Sequence, residues 1–144
     1  MARVQIGQRD LEQALPDLQG TLTLKGLEGT VHVVRDKYGI PHVRAQSIHD
    51  AFFAQGFVTA QDRLWQMDYD RHRAYGRWSE YAGKAGLEQD KLMRRFRLLA
   101  SARADYEEVG VRARVMLDAY AAGVNAFIQS TSTLPIEYTI LGTE

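Results

Sequence analysis

The sequence has no cysteine and only three prolines among its 144 residues. The lack of cysteine excludes disulfide bonds, a cysteine-based zinc site and a thiolate nucleophile. No stretch of the sequence approaches the roughly 18 uninterrupted apolar residues of a transmembrane helix. Basic and acidic residues number 18 each, so the basic excess typical of nucleic-acid-binding proteins is missing. We therefore expect neither a membrane span nor a nucleic-acid partner.

The remaining composition, 45% hydrophobic and 25% charged, is typical of a globular protein of about one domain. The first 16 residues, MARVQIGQRDLEQALP, lack the continuous apolar core of a signal peptide. We therefore expect a cytoplasmic protein, unless a signal has been removed.

The N-terminal quarter of the chain shows the two-residue period of strands. Thr21–Leu24 and Thr30–Val34 alternate, and Asp36 and Gly39 occupy the first and last positions of a β-turn. Pro41 suits the start of a further short strand. Residues 20–45 are therefore predicted to form a small antiparallel meander.

From Ser47 onward the apolar residues recur every three or four positions, which predicts helices over 47–83, 87–107 and 111–130. Ser47 and Asp50 resemble a capping box, and a bend is expected near Gly56 or Gly76. Residues 134–144 are apolar around Pro135 and are expected to form an open extended tail. The predicted fold class is α+β, a strand meander followed by three mainly antiparallel helices in a single segment, 1–144.

Catalytic and metal-binding patterns are incomplete. No Gly-x-Ser-x-Gly motif occurs, and Gly26–Gly29 lacks the lysine and the strand-loop-helix frame of a phosphate loop. Asp68 and His72 share a helical face but lack a third metal ligand, so a surface ion pair is the favoured interpretation. The serines and Glu107–Glu108 have simple structural explanations. The histidines, for which a structural or solvent-facing role is expected, are His32, His42, His49 and His72.

Arg71 lies in the apolar register of the long helix, where an unpaired charge is costly. Asp68 precedes it by three residues, and Asp36 could approach it through tertiary packing. We favour an ion pair that fixes the meander on the helices over an anion-binding arginine. No catalytic, substrate-binding or metal-binding residue is assigned from these patterns.

Four separated blocks together resemble the start of the penicillin acylase (penicillin amidase) family of N-terminal-nucleophile hydrolases. The resemblance covers about Leu15 to Gly142 and departs only modestly, with His72 and Trp78 where arginine and leucine are common. The blocks are Val34–Val43, Phe53–Met67 with its continuation to Gly83, Ala119–Ala126 and Leu134–Tyr138.

The resemblance implies a larger four-layer αββα assembly, made by a precursor that cuts itself into an α and a β chain. The new N-terminal serine of the β chain would attack a linear amide of a small N-acyl substrate, with its own α-amino group as base and an oxyanion hole in support. These residues, the acyl-pocket residues and the calcium ligands of the family belong to parts outside this sequence. The chain alone is therefore expected to be inactive and cofactor-free, with calcium allowed in the full enzyme.

On this interpretation the four blocks have a scaffold role. The meander is attached to the helices by contacts between the Arg35–Asp36 turn and the Gln61–Arg63 segment. A stand-alone helical interaction module without catalysis is the alternative, and an acylase-like protein that has lost activity is a third. The unfinished apolar tail favours the first interpretation. The acyl group and the leaving amine of the substrate are not predicted.

Overall fold

Two short strands and seven α-helices make up the computed structural model, which describes residues 5–142. This arrangement confirms the α+β class. In chain order the elements are α1 (Gln8–Gln13), β1 (His32–Arg35), β2 (Pro41–Arg44), α2 (Ile48–Ala74), α3 (Ser79–Ala82), α4 (Leu87–Phe96), α5 (Leu98–Glu108), α6 (Val111–Ser130) and α7 (Ile136–Leu141), with a 3₁₀ turn at Gly83–Gly86.

The chain divides into two compact units. The hairpin unit consists of Leu15–Arg63 and Gly110–Leu134, and so contains both strands, the first part of α2 and all of α6. The aromatic unit consists of Leu64–Val109 together with residues 5–14 and 135–142. No helix within residues 5–142 is long and apolar enough to cross a membrane.

The predicted meander is reduced to one hairpin. β1 and β2 pair antiparallel with Val33 opposite Val43, and the turn between them closes with the Gly39 N–H donating to the Asp36 carbonyl at 2.9 Å. Gly39 has a φ of 79°, which a glycine adopts without strain. Residues 21–24 alternate in polarity but form no strand, since no neighbouring strand pairs with them.

The core of the hairpin unit lies where α2 crosses α6. Phe53 is almost fully buried, and the Phe57 ring packs edge-on against Phe127 with centroids 5.6 Å apart. Glycines bring the two helix backbones together, because a Cβ on Gly56 would overlap the Tyr120 carbonyl and one on Gly123 would overlap that of Phe53. The close crossing therefore depends on both glycines.

The predicted helix over 47–83 is wrong in its extent, and of the two glycines expected near its bend only Gly76 lies where the chain turns. Gly56 lies inside regular helix, and the irregular residue is Arg63, with φ −144° and ψ 23°. α2 ends at Ala74, and Gly76, with φ 63°, turns the chain before α3 begins at Ser79. Gly76 therefore provides the turn, whereas Gly56 serves the packing of α2 against α6.

The predicted helix over 87–107 is two helices. Arg97 adopts left-handed backbone angles, φ 55° and ψ 36°, and separates α4 from α5. An arginine gives no signal for this conformation, which glycine usually adopts. The third predicted helix corresponds to α6, Val111–Ser130.

The expectation of an extended tail over 134–144 is wrong for the described part of that range. Pro135 precedes α7, and Gly142, with φ 66°, ends it. Tyr138 of α7 is buried, with its ring edge-on to Trp65 at 5.2 Å. Burial of this side chain against an aromatic neighbour favours the helical form. Residues 143 and 144 lie outside the described residues.

Candidate functional site

The end of β1 is tied to α2 by the guanidinium group of Arg35. Its two terminal nitrogens donate to the two carboxylate oxygens of Asp62 at 2.8 and 2.9 Å. They also donate to Gln61 Oε1 at 2.8 Å and to the Gly39 carbonyl at 2.9 Å. Gln61 in turn donates to the Asp17 carbonyl at 2.9 Å. Bidentate arginine–carboxylate ion pairs of this kind are among the stronger ion pairs in proteins. The contact fixes the hairpin on α2, as the sequence predicted.

The hairpin turn is closed by Asp36. Its carboxylate accepts the N–H groups of Tyr38 and Ile40 at 2.8 and 3.0 Å, and it lies 3.2 Å from His42 Nε2. The hydrogen bonds from His42 and Tyr38 hold the pKa of Asp36 below its ordinary value. Asp36 is therefore engaged within its own turn.

Asp50 anchors the loop that precedes the hairpin. Its buried carboxylate accepts the N–H groups of Glu28 and Gly29, each at 2.9 Å, and lies 3.1 Å from His49 Nδ1. Burial opposes ionisation, but these hydrogen bonds outweigh it and lower the pKa of Asp50. Ser47 accepts the Asp50 N–H at 3.1 Å, as in a capping box. The second half of the box is replaced by the loop contact.

The side chains of Glu28, His49 and Asp50 form the one group in residues 5–142 with three metal-ligating atoms within 4.8 Å of one another. Both carboxylate oxygens of Asp50 already accept backbone N–H groups. Glu28 is exposed at the surface. The hydrogen bonds of Asp50 therefore explain why these three residues lie together, since Asp50 anchors the loop that contains Glu28.

Asp68 is the centre of a polar network in the aromatic unit. It accepts from Arg71 at 2.5 and 3.0 Å and from the Tyr81 hydroxyl at 2.9 Å. Burial alone would raise the pKa of Asp68, but the hydrogen bonds from Arg71 and Tyr81 lower it by more. The pKa of Asp68 therefore lies below its ordinary value. Burial and the Asp68 charge raise the pKa of Tyr138 far above its ordinary value. The buried His72 donates from Nδ1 to the Asp68 carbonyl at 2.9 Å.

The ion pair predicted for Arg71 exists, and its partner is Asp68. The Arg71 side chain is 48% exposed, whereas that of Asp68 is 14% exposed. The guanidinium also lies over the ring of Tyr75, 5.9 Å from its centroid. The prediction that this ion pair fixes the meander on the helices is wrong, because both partners lie in α2 within the aromatic unit. The suggested partner Asp36 is occupied by its own turn.

Asp90 is a buried carboxylate that the sequence did not single out. It accepts the N–H groups of Trp78 and Ser79, each at 2.8 Å, at the start of α3. Burial opposes ionisation, but the bonds from Ser79 and Trp78 lower the pKa of Asp90. Its donors are backbone groups eleven and twelve residues away, which no side-chain pattern reveals.

The remaining polar residues with catalytic or ligating side chains have local partners or lie at the surface. His32 is exposed in β1, Ser130 donates to the Phe127 carbonyl at 3.1 Å, and Glu107 and Glu108 are exposed at the end of α5. Gly26 lies against the Phe53 ring rather than forming a phosphate loop. The side chains of Arg35, Asp50 and Asp90 thus tie separate backbone segments together within a unit, which is what a scaffold requires.

Comparison with known proteins identifies the family to which this chain belongs. The profile described as "Penicillin amidase" matches residues 30–144. The chain belongs to the penicillin amidase family. The match includes all four blocks that carried the resemblance.

Relatives of this penicillin amidase-family chain include "Penicillin acylase 2 proenzyme" from Pseudomonas sp. (strain SE83). The two are 49% identical over 134 residues, 93% of this chain and 17% of that protein. "Acyl-homoserine lactone acylase QuiP" from Pseudomonas syringae pv. syringae (strain B728a) is 42% identical over 128 residues, 89% of this chain and 15% of that protein. The chain therefore spans about a sixth of the length of these relatives.

The amidase-family chain is also similar to a solved structure, "Thermostable Penicillin G acylase from Alcaligenes faecalis in tetragonal form". The TM-score is 0.70 at 30% identity, over 80% of this chain and 63% of that one. The likeness extends from sequence to fold.

Proposed function

We propose that this chain is the N-terminal, α-chain portion of a penicillin acylase-like amidohydrolase. The whole enzyme cleaves a linear amide, the acyl side chain of a β-lactam or of a related N-acyl compound. It does so after its precursor has cut itself into an α and a β chain. The observation that carries the proposal is the 49% identity over 93% of the chain to a penicillin acylase proenzyme.

In this proposal the catalytic serine belongs to the β chain, and the segment described here is scaffold. The distribution of charged groups supports that role. Arg35 and Asp62 bind each other, and the buried carboxylates of Asp50 and Asp90 accept backbone N–H groups. Side chains engaged in this way hold loops and helices in place and are not available to attack a substrate.

The test is to express the complete precursor from the same reading frame and to assay its two-chain product. We expect hydrolysis of the side-chain amide of either a penicillin or an acyl-homoserine lactone, the two substrates that the relatives' names print. Changing the new N-terminal serine to alanine should lower the rate about a thousandfold or more. The 144-residue chain alone should give no turnover above buffer.

An Arg77→Gln variant of the precursor is a matched control, because Arg77 makes an exposed pair with Glu80 that contributes little. Its rate should equal that of the unmodified enzyme. Turnover by the 144-residue chain alone would overturn the scaffold assignment. A two-chain product inert toward both amides would contradict the proposed amide cleavage and favour an acylase-like protein that has lost activity.

A further inference from the structure

A small cavity lies within the aromatic unit, between the end of α2 and the junction of α4 with α5. Its volume is about 250 Å³, and Tyr75, Met93 and Leu99 are among the residues around it. Three arginines also line it, Arg94, Arg97 and Arg103. None of the described residues that line the cavity is acidic. This arginine cavity therefore combines positive charge with apolar surface.

The three arginines of the cavity form no ion pair within residues 5–142. Arg94 donates from Nε to the Gly76 carbonyl at 2.8 Å, which holds its side chain in place. Asp90, one turn earlier in α4, attracts Arg94, but its buried carboxylate already accepts two backbone N–H groups. Because like charges repel at close range, the three guanidinium groups favour an anion placed among them.

Arg97 lies at the cavity in an unfavourable backbone conformation. Its φ of 55° and ψ of 36° are left-handed, and among the described residues it alone has a positive φ without being glycine. Glycine adopts this conformation without strain, so the junction between α4 and α5 would by itself favour glycine. What the arginine adds at this position is a cation at the cavity. Backbone strain of this kind is common at binding sites.

The lining of the cavity also limits what it can bind. Guanidinium groups pair with the two oxygens of a carboxylate in a matching planar geometry. The half-buried side chains of Met93 and Leu99 offer apolar contact to the rest of a ligand. Sites for drug-sized molecules have volumes of about 300–1,000 Å³, so this cavity suits a smaller one. A small carboxylic acid with a short apolar tail meets these conditions.

We propose that the arginine cavity binds such an acid in its carboxylate form. The carboxylate lies among Arg94, Arg97 and Arg103, and the apolar tail packs against Met93 and Leu99. This choice of ligand rests on the proposed function, because hydrolysis of an acyl amide releases an acid of this class. The acid that the enzyme forms would then also be a ligand of this chain.

Hydrogen–deuterium exchange measures binding at this position alone, in the complete precursor, whether or not it is processed, and in the 144-residue chain. The probe is hexanoate, which has a carboxylate and a short alkyl tail. We expect it to slow exchange in peptides that contain residues 98–100, with half-saturation below about 10 mM. Acetate lacks the tail, hexanamide lacks the charge, and inorganic phosphate is an anion without a tail. Each should require at least about tenfold more ligand for the same protection.

Single substitutions supply a matched comparison. Arg97→Gln and Arg103→Gln each remove one cation from the cavity and should raise the half-saturating concentration of hexanoate about tenfold. Arg95→Gln removes the same charge from α4, but Arg95 is exposed and does not line the cavity. It should change that concentration less than about twofold. Thermal melts check that the variants fold, and the comparison of ligands on the unmodified protein requires no variant.

The absence of protection by hexanoate up to about 10 mM would overturn the proposal. Equal effects of Arg97→Gln and Arg95→Gln would also overturn it, since a general loss of positive charge would then explain both. Acetate or phosphate as effective as hexanoate would contradict the role of the apolar side chains and show a general attraction for anions.

Amide hydrolysis separates this proposal from the proposed function. A protein that binds hexanoate at residues 98–100 but hydrolyses neither test amide would support the arginine cavity as a binding site and contradict the acylase function. An active enzyme in which hexanoate gives no protection there would support the function and contradict the binding site.

Discussion

At the scale of single residues, each unit contains a buried aspartate with the same task. Asp50 in the hairpin unit and Asp90 in the aromatic unit each lie near the start of a helix. Each accepts two successive backbone N–H groups from a separate loop. A carboxylate suits this position because it accepts at both oxygens and donates at neither.

Replacing Asp50 with asparagine should therefore destabilise the chain. The amide nitrogen of asparagine cannot accept a hydrogen bond, so one of the N–H groups of Glu28 and Gly29 would be left unpaired. We expect a loss of about 1–3 kcal/mol in the free energy of unfolding, measured by chemical denaturation. Glu28→Gln is the control, because the exposed Glu28 contributes its backbone N–H and not its side chain. Equal stabilities of the two variants would contradict the anchoring role.

The same carboxylates should make stability depend on pH. The pKa values of Asp50, Asp68 and Asp90 are all lowered in the folded chain. The folded state therefore prefers their ionised forms, and their contribution is fully present above the ordinary aspartate pKa of about 3.9. It is lost as pH falls through the lowered folded values.

We expect the free energy of unfolding to fall steadily below about pH 4, when measured by denaturant titration at a series of pH values. A double variant, Asp50→Asn with Asp90→Asn, should start from a lower stability and fall less steeply. An identical slope for the double variant and the unmodified chain would show that these two groups do not carry the dependence.

Residue-scale prediction from the sequence succeeded where both partners are side chains with a recognisable spacing or pattern. The Arg35 attachment and the Arg71–Asp68 pair are of this kind. It failed for Asp90, whose partners are the backbone N–H groups of Trp78 and Ser79. Every residue except proline has such a group, so the letters of a sequence do not mark the ones that need a partner.

At the scale of elements, the crossing of α2 and α6 is set by two small residues. Gly56 faces the backbone of α6 at Tyr120, and Gly123 faces that of α2 at Phe53. In each case an added methyl group would overlap a carbonyl oxygen, which belongs to a helix and cannot move aside cheaply. The helices would have to separate, and the contact between Phe57 and Phe127 would loosen with them.

Gly123→Ala should therefore lower the free energy of unfolding by about 2–3 kcal/mol, although alanine is the better helix former. A thermal or chemical melt measures the effect. Gly110→Ala is the control, since a Cβ there meets open space and φ is −61°. It should cost less than about 1 kcal/mol. A Gly123→Ala variant as stable as the unmodified chain would contradict the close crossing.

The elements themselves were only partly predictable. The three-to-four spacing of apolar residues indicated helix, but it did not show where Arg63 and Arg97 interrupt the regular backbone. The apolar residues around Pro135 favour an extended tail, although Pro135 before residues 136–141 and Gly142 after them are common helix boundaries. Burial of Tyr138 against Trp65 decides for helix, and that contact is tertiary.

At the scale of the whole molecule, the family resemblance was the most informative part of the sequence. Four blocks spread over the chain identified the penicillin amidase family, which the match over residues 30–144 confirms. Elementary patterns alone indicated only a folded α+β chain without a complete catalytic constellation. The reason is physical, because scaffold contacts such as that of Arg35 with Asp62 have the same chemistry as ordinary ion pairs and carry no family signal one by one.

A scaffold role makes a specific prediction about Arg35 in the proposed two-chain enzyme. Arg35→Met keeps most of the side-chain length but removes every hydrogen bond to Asp62, Gln61 and Gly39. The Arg35 side chain is 16% exposed and that of Asp62 31%, so solvent screens the pair in part. We expect a loss of about 1–3 kcal/mol in stability.

The yield of processed enzyme should fall accordingly, whereas the turnover of each surviving molecule should not change. Thermal melts measure the first effect, and active-site titration followed by steady-state kinetics measures the second. Arg77→Gln, which breaks an exposed pair with Glu80, should leave both yield and turnover unaltered. Normal stability with reduced turnover in Arg35→Met would place Arg35 in the catalytic machinery. Reduced stability with normal turnover is the expected result for Arg35→Met, because the hydrogen-bond partners of Arg35 all lie within the hairpin unit that it stabilises.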